Sequence, residues 1–130
     1  MELENVENRN ILKEVYYYLR KLENIKAREL VNSLLKENPT NEYAWLYLGI
    51  AQRRLKKLDD AIKCFETAVN LDNAMIEAWG LLTITYMDKN DKISATKTLK
   101  KAVKLNPEND TLRFYCKNLI RVYDKFGPFF

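Results

Sequence analysis

The chain has 130 residues, 47% of them hydrophobic and 31% charged, with a formal net charge of +4 and a pI near 9.0. That is enough apolar material for one core and argues against disorder, while the absence of histidine excludes a His-based catalytic centre and removes the commonest metal ligand. Three glycines and three prolines leave few breaks in the chain, so an all-α protein of long helices is expected.

The first ten residues, MELENVENRN, place acids and amides where a secretory signal would need basic residues and then an apolar run. No window approaches a membrane-spanning length, and a cytoplasmic protein is expected. Residues 8–41 hold the faintest copy of a pattern that becomes clear further on. In residues 42–75, Trp45, Leu48, Gln52 and Leu55 recur at three and four positions with Ala44 and Ala51 beside them, which predicts a helix with one buried face. The linker Lys56 to Leu58 is short, so the next helix must run antiparallel. Asp59 or Asp60 is expected to cap that helix, whose stripe is Ala61, Cys64, Phe65, Ala68 and Leu71.

Residues 76–109 repeat the phrase. Trp45 returns 34 positions later as Trp79, Leu48 as Leu82, Ala61 as Ala95, Phe65 as Leu99, Ala68 as Ala102 and Leu71 as Leu105. Self-similarity at such a period is the signature of a stacked repeat array. The alanines let neighbouring helices approach, and the tryptophans fill the adjoining space. Pro107 stops the second copy. Residues 110–125 predict one more helix, with Leu112, Tyr115, Cys116 and Leu119 apolar, that covers the end of the array. Residues 126–130 form a short apolar tail. Cys64 and Cys116 lie far apart among apolar neighbours and read first as buried free thiols, with a disulfide as the minor alternative.

Trp45, Leu48, Gly49, Ala61, Phe65 and Ala68 resemble the signature of a tetratricopeptide repeat, and Trp79, Leu82, Tyr86, Ala95, Leu99, Ala102 and Pro107 resemble the next copy. Gln52 departs from the family's usual Tyr, Thr83 from its Gly, Leu99 from its Phe and Asn73 from its terminal Pro. One period earlier, Tyr18, Ala27 and Pro39 keep their slots, while Ile11, Val31 and Leu34 replace Trp, Phe and the second Ala. The resemblance implies an all-α, right-handed α-solenoid of antiparallel helix pairs. It has three units (8–41, 42–75 and 76–109) and a capping helix (110–125), and it binds a protein or peptide in its concave groove.

In such a fold the first helix of each pair lines the groove. Its outward residues are Arg9, Leu12, Tyr16, Leu19 and Arg20 in the first unit, and Tyr43, Leu46, Ile50, Arg53 and Arg54 in the second. The third supplies Glu77, Gly80, Ile84, Met87 and Asp88, and the cap supplies Thr111, Phe114, Asn118 and Arg121. This is an apolar floor with arginines at its N-terminal edges, suited to an apolar, helical segment with acidic flanks. Family members that grip chaperone tails present Lys, Asn and Arg at places held here by Leu12, Tyr16, Tyr47, Glu77 and Leu81, so that clamp is missing.

Other readings compete. A second copy of the chain or the tail residues Phe126, Phe129 and Phe130 could cover the floor, making a self-associating scaffold or homodimer. Lys97, Lys100, Lys101 and Lys104 form a basic face that could meet nucleic acid, although they fall on the convex side without an aromatic stacking platform. No Gly-rich phosphate loop and no nucleophile beside a base suggest an enzyme, and no cofactor or metal is expected.

Overall fold

The computed structural model describes residues 2–126. Among them are seven α-helices and no strand: α1 (Glu2–Arg20), α2 (Asn24–Glu37), α3 (Glu42–Arg54), α4 (Leu58–Leu71), α5 (Ile76–Asp88), α6 (Lys92–Leu105) and α7 (Asp110–Phe126). Each helix packs on the next, and α1, α3 and α5 also lie side by side, as in a helical-repeat solenoid.

The 34-residue period is visible in the backbone. Leu22, Lys56 and Asn90 adopt left-handed φ values of 60°, 63° and 61° in the turns that join α1 to α2, α3 to α4 and α5 to α6. At each turn the following N–H reaches back five residues: Glu23 to Tyr18 O, Lys57 to Gln52 O and Asp91 to Tyr86 O, at 2.8 to 2.9 Å. These bonds satisfy carbonyls that a helix end leaves open and reverse the chain tightly. Between pairs, Asn41 N bonds Asn38 O, Met75 N bonds Asp72 O and Asn109 N bonds Asn106 O, so the same turn recurs three times. Asn41 and Asn109 then cap α3 and α7 by accepting from the Ala44 and Leu112 N–H groups.

Neither Asp59 nor Asp60 caps α4. The helix begins earlier, at Leu58 after Lys57, and makes no side-chain cap bond. Asp59 instead pairs with Lys89 of the following unit, while both acids remain in the first turn, where they favour the helix dipole.

Ala27, Ala44, Ala51, Ala61, Ala68, Ala78, Ala95 and Ala102 are all fully buried. They occupy contacts where any larger side chain would push two helices apart. Val15, Leu19, Val31, Leu34, Leu48 and Cys64 form the core of the N-terminal half. Leu46, Phe65, Val69, Trp79, Leu82 and Leu112 form that of the C-terminal half. Both tryptophans make one matching bond: Trp45 Nε1 donates to Pro39 O at 2.7 Å and Trp79 Nε1 to Asn73 O at 2.8 Å. Asn73 O also accepts from Asn106 Nδ2, tying successive turns together.

Two stripes run shorter than the sequence suggests. Leu71 and Leu105 are exposed, because ten residues of helix carry them about 80° off the line set by Ala61 and Ala95. Of the three expected apolar residues of α7 whose side chains are described, Leu112 is buried, Cys116 is half-buried and Tyr115 is exposed. The side chain of Leu119 and the tail beyond residue 126 lie outside the described residues. No helix among them is long and apolar enough to cross a membrane.

Candidate functional site

The exposed face of α1, α3, α5 and α7 divides into two regions. At the α1–α3 end, Arg9, Leu12, Lys13, Tyr16 and Tyr47 line a shallow pocket of about 300 Å³. Tyr16 and Tyr47 approach with ring centroids 6.2 Å apart, and the Arg20 guanidinium lies over Tyr16 at 5.9 Å. Burial, and then the charge of Glu77, push the Tyr47 hydroxyl above its ordinary pKa, so it stays protonated and able to donate.

At the α5–α7 end lies a larger cavity of about 700 Å³ whose lining is almost wholly apolar. Ile76, Gly80, Leu81, Ile84 and Met87 supply the α5 side, Leu112, Tyr115 and Asn118 the α7 side, and Thr83 and Leu99 lie deeper in the same lining. A Cβ added at Gly80 would meet nothing within 4 Å. One period earlier Leu46 holds that place, so the cavity exists partly because Gly80 omits the side chain. A second exchange accompanies it. Thr83 and Leu99 stand where the preceding unit has Gly49 and Phe65, so a larger residue on α5 meets a smaller one on α6.

The residues expected to face the groove do not all do so. Tyr16, Tyr43, Ile84 and Phe114 are exposed, Leu12, Ile50 and Met87 are half-buried, and Arg9, Arg20 and Arg121 reach solvent. Leu19 and Leu46 are corrections, being only 3% and 1% exposed. Leu46 belongs to the core cluster of α4, α5 and α7, and Leu19 to the cluster of α1 and α2. The arginine rim is also partly committed. Arg53 Nε bonds Asp88 Oδ2 at 2.7 Å, and Arg54 Nη1 donates to Leu19 O at 2.7 Å. The first pair balances its own charge, and the second satisfies a carbonyl at the end of α1. Ile76, Leu81, Thr83, Leu99 and Tyr115 were not expected at the site, although Gly80, at the place Leu46 holds one period earlier, already signals missing volume.

The convex side carries a separate cleft between α4 and α6 that includes Lys97 and Lys101 together with Glu66. Tyr86 crosses it, donating to Glu66 Oε1 at 2.8 Å. Burial first, and this bond second, push the tyrosine pKa to about 12.

The description "Tetratricopeptide repeat" matches residues 42–74 and again residues 76–109. The chain belongs to the tetratricopeptide repeat family. Human cilia- and flagella-associated protein 70 is 30% identical over 95 residues, 73% of this chain and 8% of that protein. Superkiller complex protein 3 of Mus musculus is 26% identical over 123 residues, 90% of this chain and 8% of that protein. The chain thus spans less than a tenth of the length of these two relatives. Among solved structures, the Sgt2 TPR domain from Aspergillus fumigatus superposes with a TM-score of 0.78 at 19% identity, covering 92% of this chain and 80% of that one. The first TPR of Spaghetti (RPAP3), bound to the HSP90 peptide SRMEEVD, gives 0.75 at 16% identity, covering 90% and 95%. At these identities the likeness is one of fold.

Proposed function

We propose that this tetratricopeptide-repeat chain is a non-catalytic protein-interaction module that takes an apolar peptide or helical segment of a partner in its concave groove. The observation that carries this reading is the run of solvent-open apolar side chains on successive first helices, from Tyr16 through Tyr43 and Ile84 to Phe114. Large apolar side chains gathered on one face are costly to leave in water and mark an interaction surface. Structural neighbours of the same fold hold peptides and protein partners, which supports the same use here. A small interface of this type binds at about micromolar strength, roughly −8 kcal/mol.

The partner is not the acidic tail of a chaperone. Leu12, Tyr16, Tyr47, Leu81 and Glu77 stand where such a clamp needs cations and amides, and Arg53 and Arg54 already have partners. Acidic flanks are accommodated near Lys13 and Arg20, at the α1–α3 end.

Affinity capture followed by reconstitution with the purified partner tests the reading. Ile84→Glu and Tyr16→Ala should weaken binding by at least about tenfold, while Lys101→Gln on the convex side leaves it unchanged. The opposite pattern would transfer the site to the convex face. Self-association is a second reading, favoured by Phe114 and Tyr115, which are 64% and 56% exposed on α7. It predicts a mass in solution that rises with concentration and falls back on Phe114→Glu.

A further inference from the structure

The cavity between α5 and α7 differs from the rest of the groove in charge as well as volume. In a chain of net charge +4, α5 is the one helix of the seven that contains acids, Glu77 and Asp88, and no lysine or arginine. Asp88 is neutralised by Arg53 at 2.7 Å. Glu77 is among the residues that line the cavity, and the three that α7 contributes to that lining, Leu112, Tyr115 and Asn118, are uncharged. A carboxylate thus stands beside this apolar cavity, whereas Arg9 and Lys13 line the pocket at the α1–α3 end.

Accepting the concave-groove reading above, we infer that this cavity anchors one bulky apolar side chain of the partner between Gly80, Ile84 and Tyr115, with a neighbouring lysine or arginine paired to Glu77. The apolar lining selects a Leu, Met or Phe rather than a polar group, because a polar side chain would find few partners there. Glu77 selects its neighbour by charge complementarity, which rejects an acidic flank as well as attracting a basic one. The two ends of the groove thereby fix the direction of a bound segment, with its basic and apolar part over α5 and α7 and any acidic part over α1.

The test uses the full chain and two short fluorescein-labelled synthetic peptides, each with Leu and Phe at helical spacing, one flanked by lysines and the other by glutamates. Anisotropy titrations at low salt should give the lysine peptide about tenfold tighter binding, and high salt should narrow the gap. Glu77→Lys should reverse the preference. Gly80→Leu should weaken the lysine peptide at least about tenfold while the melting temperature holds or rises, because leucine is the better helix former and the space is open.

Equal affinity for the two peptides, binding of neither, or indifference to Gly80→Leu overturns the inference. If Gly80→Leu binds as wild type but Tyr16→Ala does not, the groove reading survives and the anchor falls. If neither substitution matters, both fall. A dimer in sedimentation equilibrium that Gly80→Leu breaks would give the cavity to a second copy and also overturn the inference.

Discussion

A Cβ atom on Gly49 would stand 2.5 Å from Cε1 of Phe65, with two more ring atoms at 2.7 and 2.9 Å. The ring is fully buried and has no room to retreat. Gly49→Ala is therefore expected to destabilise the chain by about 1 to 3 kcal/mol, although alanine gains about 1 kcal/mol in helix propensity. Phe65→Leu in the same chain should recover part of the loss, since Thr83 and Leu99 show the same compromise one period later. Urea unfolding of the two single variants and the double variant should give a coupling of at least about 0.5 kcal/mol. Strict additivity would separate the two positions.

The two tryptophans make the same bond but sit in different surroundings. Trp79 is 2% exposed, whereas Trp45 is half-buried at the edge of both core clusters. Trp79→Ala should cost about 3 to 5 kcal/mol and Trp45→Ala clearly less. Thermal melts of both variants check the order, and equal losses would mean that the shared hydrogen bond, rather than burial, dominates.

Period and composition made most of this fold legible before any coordinate. Identical residues at one spacing fix the helix pairs, and fully buried alanines such as Ala61 and Ala95 mark where helices touch. The groove was read less well. Leu12 and Leu46 are one period apart and look alike in sequence, yet the first is half-buried and the second enclosed. The difference lies in neighbours supplied by other helices, which no local pattern contains. Arg53 and Arg54 were misread for the same reason, since the groups that hold them, Asp88 and Leu19 O, are each 35 residues distant.

Leu46 and Ile84 separate core from groove. Leu46→Glu would bury a carboxylate in the apolar core cluster that Leu46 shares with Phe65, Ala78 and Trp79, so the fold should be lost or weakened by at least about 3 kcal/mol. Ile84→Glu changes an exposed side chain and should alter melting by less than about 1 kcal/mol while removing partner binding. Circular dichroism melts decide between them. A cooperative, wild-type melt for Leu46→Glu would place that residue on the groove floor after all.

The two cysteines are free thiols in unlike settings. Burial, and then the charge of Asp60, push Cys64 to about 12, while half-buried Cys116 is raised mainly by burial, less its interaction with Lys100. The thiolate is the reactive form and both thiols are raised, so access sets the order: half-buried Cys116 should react with a disulfide reagent first and buried Cys64 only on unfolding. Cys116→Ser should abolish the fast phase. Loss of the slow phase instead would reverse the assignment.

Asp91 gives a pH test with a definite sign. Its side chain accepts from the Ser94 N–H at 3.0 Å and from Ser94 Oγ at 2.7 Å, capping α6. The Ser94 hydroxyl bond first and the backbone bond second hold its carboxyl below the usual range. A folded pKa lower than the unfolded one means that the unfolded chain takes up the proton more readily. The contribution is therefore complete above the unfolded value, near 4, and disappears as pH falls through the folded value. At neutral pH Asp91→Ala should cost about 1 kcal/mol, the usual worth of an N-cap. Urea midpoints of the two proteins should converge as the pH is lowered from about 5 toward 2. A gap that stays constant across that range would show that the carboxylate charge contributes nothing to the cap.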